Sequence, residues 1–117
     1  MEKETIKFSQ WSQLDLRVGK IIAIENIEGA DKLYKLQIDL GKELGKRTFV
    51  AGIKPYYKKE QLKDKKVIVF TNLEPRKLKG IESQGMVLAA VSEDEQGKEQ
   101  VRLLMPDEEI REGSRVR

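Results

Sequence analysis

Arg76, Lys77 and Lys79 fall within a span of four positions in NLEPRKLKGIESQGM, residues 72–86. The stretch is too polar to be core. Arg76 offers a planar donor fork that matches phosphate, while Lys77 and Lys79 act as point charges. Asn72, Ser83 and Gln84 add neutral donors and acceptors suited to ribose and base edges. Gly80 and Gly85 permit close backbone approach, and Met86 stands where an apolar run begins. The chemistry on offer is non-covalent capture of a polyanion. A solvated loop, in which Asn72 and Ser83 satisfy only their own backbone, is the plainer alternative.

Two other clusters invite the same question. In EGADKL, residues 28–33, Lys32 can meet a phosphate and Asp31 can orient it, although a capped turn explains these residues on its own. In KPYYKK, residues 54–59, aromatic rings among lysines can stack bases. A short helix also needs apolar residues to dock on a sheet, and Tyr57 and Leu62 suit that role better.

Catalytic chemistry finds little support. The chain has neither cysteine nor histidine. Disulfides, thiolate zinc sites, HExxH centres and imidazole acid–base catalysis are therefore excluded. The acidic runs Glu93–Glu95 and Asp107–Glu109 lack EF-hand spacing, there is no P-loop, and such runs are ordinarily solvated turns. No catalytic residue, metal site or cofactor is expected. No apolar run approaches the roughly 18 residues of a membrane span, and the mixed-charge start MEKETIKFSQW does not read as a signal peptide. The expected location is the cytoplasm.

Charge is unevenly placed. Residues 42–79 carry twelve Lys/Arg against four Asp/Glu, whereas residues 1–41 carry six against seven and residues 80–117 five against nine. An ion-pair-rich surface explains the charge total, but an anion-binding face also explains its segregation.

The elements that must position these residues are mostly strands. A helical entry at Phe8–Trp11, capped by Ser9, precedes a strand over Asp15–Glu25 with Leu16, Val18, Ile22 and Ile24 on one face and a bulge or bend at Gly19. A second strand, Leu33–Leu40, turns Tyr34, Leu36, Ile38 and Leu40 to one side. Gly41–Gly45 is a hairpin-like connection to a third strand, Lys46–Ala51. Pro55 opens a short helix ending at Leu62, and Lys66–Thr71 is the fourth strand. Residues 72–86 form a long irregular connection to a fifth strand, Met86–Ser92. Val101–Met105 is a further short strand, and Val116 closes a last pairing. This order predicts an all-β, five-stranded OB-fold barrel with a short helix between strands 3 and 4. All of residues 1–117 form one domain, with a barrel over 8–92 and a C-terminal extension over 93–117. The apolar residues Val101, Leu103, Leu104, Met105, Ile110 and Val116 of that extension suggest a dimer interface.

The motifs DLRVGKI (15–21), ADKLYKLQIDLG (30–41), VAGIKPYY (50–57) and NLEPRKLKGIESQGM resemble the tRNA-binding domain family, from Phe8 onward. Members stand alone as dimeric tRNA-binding proteins, end many methionyl-tRNA synthetases, or serve them as separate beta subunits. The resemblance implies an OB fold that binds tRNA by shape, in trans to a methionyl-tRNA synthetase partner. It implies binding roles for Lys32, Asn72, Arg76, Lys77, Ser83 and Met86, to which the residue chemistry adds Lys79 and Gln84. It also implies a homodimer formed through residues 104–117. A secretion-chaperone branch of the same fold, binding peptides, is the alternative. Two features depart from the family pattern: the Gly41–Gly45 connection is longer than common, and Asp64 stands where glycine is frequent.

Overall fold

The computed structural model describes residues 1–117. In chain order it contains α1 (Phe8–Trp11), β1 (Leu16–Ile27), β2 (Ala30–Asp39), α2 (Gly41–Leu44), β3 (Lys46–Ala51), α3 (Lys59–Leu62) and β4 (Lys66–Phe70). These are followed by β5 (Arg76–Leu78), β6 (Ile81–Ser83), β7 (Met86–Val87), β8 (Ala89–Glu93), β9 (Glu99–Leu103) and β10 (Arg115–Val116). The main sheet runs β3–β2–β1–β4–β7, with β10 added to β1 and every pairing antiparallel. The fold is all-β, as expected, with three helices of a single turn.

The alternation read in β2 is observed: Tyr34, Leu36, Ile38 and Leu40 are buried in the main core with Phe49, Val67 and Val69. The single face expected for β1 is not. A Cβ on Gly19 would sit 2.5 Å from Ile38 and 2.9 Å from Leu40, so Gly19 faces the interior and its neighbour Val18 faces away. The bulge lies between Ile21 and Ala23, not at Gly19. It reverses the phase, so Ile21 is fully buried before it and Ile24 packs on the core after it.

Local caps differ from expectation too. Lys7, not Ser9, caps α1, and its N–H donates to Gln10 Oε1 at 2.8 Å. The helix expected from Pro55 begins only at Lys59. Residues 54–56 form a turn instead, because the N–H groups of Tyr56 and Tyr57 both donate to the Ile53 carbonyl. The expected fifth strand is divided at Leu88. There the Leu88 N–H donates to the Ile68 carbonyl while the Leu88 carbonyl accepts from Leu104, and the chain passes from the main sheet into the β8–β9 hairpin.

That hairpin carries part of the C-terminal extension into the core. Val101 and Leu103 belong to the main core, and the Leu103 N–H donates to the Tyr57 hydroxyl at 3.0 Å. Leu104, Met105 and Ile110 remain exposed.

One end of the sheet is fastened by Arg17, a residue to which the sequence assigned no role. It is buried, donates to both carboxylate oxygens of Asp15 at 2.7 and 3.2 Å, and reaches Glu43 on α2 at 2.9 Å. The Arg17 bond, chiefly, holds the Asp15 carboxyl below the usual carboxylate range.

Candidate nucleic-acid interface

Residues 72–86 are not the irregular connection expected. β5 and β6 form a small hairpin with Arg76 opposite Ser83, Lys77 opposite Glu82 and Leu78 opposite Ile81. Lys79 and Gly80 make its two-residue turn, both at positive φ (52° and 79°). This is the backbone of a type I′ turn, whose twist matches paired strands. The Lys-Gly pair between Leu78 and Ile81 was the signal available in the sequence.

The hairpin does not project freely. Leu78 and Ile81 pack on a second, smaller cluster of Ile27, Ala30 and Val50, together with Leu33. Ile27 and Ala30 flank the tight Glu28–Gly29 turn between β1 and β2. One apolar floor therefore seats both loops, bringing the Lys32 turn and the Arg76–Lys79 hairpin to the same end of the barrel. Leu78 and Ile81 are the positioning residues that sequence reasoning missed.

The charged residues of the site face water. Lys32, Arg76, Lys77 and Lys79 are exposed, and none has a carboxylate within 4.0 Å. Met86 is 45% exposed and lines a notch of about 90 Å³ with Arg76, Val50, Leu73 and Ser83. A notch of that size is well below the roughly 300–1,000 Å³ of a small-molecule pocket. It suits one protruding group of a large ligand.

The neutral residues are placed otherwise. Ser83 is buried, accepts the Val50 N–H at 3.0 Å and donates to the Gly85 carbonyl at 3.0 Å. Gln84 grips Thr48 twice: its N–H donates to the Thr48 carbonyl at 2.9 Å and its Oε1 accepts the Thr48 N–H at 2.9 Å. No regular ladder joins β3 to β7, and these three bonds from β3 to residues 83–84 stand in its place. Asn72 is also engaged, donating to the Gln13 carbonyl and accepting the Asp15 N–H, both at 2.7 Å. The structure thus sets Arg76 beside Met86 and brings the Lys32 turn and the hairpin that carries Lys77 and Lys79 to one apolar floor. Ser83, Gln84 and Asn72 fix the frame beneath it.

Leu62 is buried in the core and Tyr57 packs against it, as the docking reading expected, and both tyrosines are tied down by hydrogen bonds. Tyr57 accepts the Leu103 N–H on its hydroxyl and the Tyr34 hydroxyl on its carbonyl, and Tyr56 donates to Glu99.

Residues 16–115 match the model of the tRNA binding domain family. The chain belongs to this family. It is 55% identical over 116 residues to a methionine–tRNA ligase of Pyrococcus horikoshii, which covers 99% of this chain and 15% of that ligase. A methionine–tRNA ligase of Methanocaldococcus jannaschii is 51% identical over 114 residues, 97% of this chain and 17% of the ligase. The chain spans less than a fifth of the length of either. Among solved structures, a MetRS-related protein from Pyrococcus horikoshii superposes with a TM-score of 0.82 at 38% identity, covering 97% of this chain and 99% of that one. The chaperone CsaA of Bacillus anthracis superposes with a TM-score of 0.83 at 30% identity, over 97% and 100%. Solved structures of two different descriptions thus share this backbone.

Proposed function

We propose that this protein binds tRNA without chemistry of its own, through the rim formed by Lys32, Arg76, Lys77, Lys79 and Met86. The observation that carries this reading is a set of four cations without acidic partners, held rigidly over one apolar floor. Free surface cations repel one another, and a phosphate backbone relieves that repulsion and releases its own counterions on binding. Asn72, Ser83 and Gln84 act by holding the hairpin, and Met86 supplies an apolar contact beside Arg76. Recognition is largely independent of sequence, since cations aimed at phosphates carry no base information.

In the cytoplasm the protein assists a methionyl-tRNA synthetase in trans, a reading supported by its likeness to segments of methionine–tRNA ligases. It acts as a homodimer, for which exposed Leu104, Met105 and Ile110 supply apolar surface.

Retention of folded tRNA, followed across a salt series, tests the proposal. Arg76→Ala with Lys77→Ala should weaken binding and make the plot of log K against log salt shallower by about 1–2 units, with little change in melting temperature. Parent-like binding by that variant would reject the site. The chaperone reading is favoured by the equally close CsaA superposition. It predicts instead capture of unfolded peptides with little salt dependence. Sedimentation equilibrium tests the dimer.

A further inference from the structure

A second basic site lies at the opposite end of β2. There α2 and the C-terminal tail enclose an open cleft of about 750 Å³ lined by no hydrophobic residue. Its cations are Lys42, Lys46 and Arg111, and none has a carboxylate within 4.0 Å. Two acids, Asp39 and Glu112, line the cleft as well, and Glu43 lies on the same helix as Lys42. Glu43 is taken by Arg17 at 2.9 Å, Glu112 by Lys66 at 3.3 Å, and Asp39 accepts the Gly41 N–H at 2.9 Å. Three free cations therefore face one carboxylate that is not ion-paired.

The walls are held rather than loose. A Cβ on Gly41 would come within 2.6 Å of the Glu112 carbonyl oxygen, and one on Gly113 within 2.7 Å of that of Leu40. Two bare backbones thus press together, and the Gly113 N–H donates to the Val18 carbonyl at 2.8 Å. The cleft is built on the Gly41–Gly45 connection.

We propose that this cleft is a second phosphate anchor for the RNA held at the hairpin, a proposal that rests on the tRNA-binding reading above. A polar, cationic and open cleft selects a phosphodiester over an apolar ligand. The outward residues Lys35, Gln37 and Asp39, paired with Val50, Thr48 and Lys46, lead along the sheet from one site to the other. Lys32 and Asp39 are seven residues apart on one strand, roughly 23 Å at strand rise. At the roughly 3.4 Å per nucleotide of a DNA strand, that reach is about seven nucleotides, within the roughly 4–16 that an OB fold covers on a single strand.

The test compares the parent, the combined variant Lys42→Ala/Lys46→Ala/Arg111→Ala, and the Arg76→Ala/Lys77→Ala variant in tRNA binding across a salt series. Melting temperatures check folding, and Lys42→Glu alone serves if the triple variant is unstable. The cleft variant should weaken tRNA binding and flatten the salt slope by about 1–2 units. It should leave unchanged the binding of an RNA hairpin too short to span the sheet. Parent-like tRNA affinity and slope in the cleft variant, with loss in the hairpin variant, would overturn the second anchor and leave the first site standing. Absence of tRNA binding by the parent would instead reject the functional reading itself. Inorganic pyrophosphate that still binds the tRNA-saturated parent would show a free-anion site that the RNA does not fill, and this too would overturn the proposal.

Discussion

The Ser83 hydroxyl is the partner of the buried Val50 N–H, and no other group replaces it. Ser83→Ala should therefore cost about 1–3 kcal/mol of stability, the penalty of a buried donor left without an acceptor. It should also weaken tRNA binding by loosening the hairpin, without altering the salt slope, because no charge is lost. Urea unfolding read beside tRNA retention checks both, and an unchanged midpoint would remove the latch role. Asp64 gives the opposite sign. It sits at φ 67°, where side chains are crowded. Asp64→Gly relieves that crowding and should raise stability, by up to about 1 kcal/mol after the entropy that glycine adds to the unfolded chain. At this scale the sequence was informative about charge and poor about direction. Ser83 meets a donor 33 positions away and Asn72 one 57 positions away, and neither distance leaves a local trace. The cations were legible because exposed lysine and arginine need no partner.

Among the elements, β2 was readable because its alternation runs without interruption, and β3 because it is bounded by glycines at 45 and 52. β1 was misread because its bulge exchanges the two faces halfway, and a two-residue period cannot register an extra residue. The hairpin was missed because three-residue strands carry almost no periodicity. What fastens the first strand to α2 and to the tail is Arg17 with Asp15 and Glu43, and this sets an acid limit. Asp15 in the unfolded chain titrates near the ordinary value of about 3.9, and in the folded chain it titrates lower. Its contribution is complete above the unfolded value and disappears as pH falls through the folded one. Stability should thus decline below about pH 4. Asp15→Asn, compared by thermal unfolding at neutral and acidic pH, should lose stability at neutral pH and show a weaker acid dependence than the parent. Equal acid dependence would assign the decline to other carboxylates.

For the whole molecule, the order of strands was legible because each apolar run is separated from the next by glycine or charge. The depth of the C-terminal part was not. Val101 and Leu103 enter the core only because the chain divides at Leu88, a bend that no residue type marks. Another feature of the same region has wider reach. β10 lies on β1, with Val116 opposite Leu16, so the first strand and the last residues leave the barrel side by side. From Leu16 to Val116 the backbone is thus almost a ring. If the ends were joined through a short flexible linker and the chain reopened in the exposed turn at Gln96–Gly97, every strand pairing would be kept. Such a rearranged chain should show the parent's circular dichroism and a cooperative melt. A molten product would mean that β8 and β9 must be joined through their own turn for the sheet to form. The pairing of β10 with β1 also sets α1 and the last residues at one corner of the sheet, where Phe8, Trp11, Arg115 and Arg117 line a common hollow.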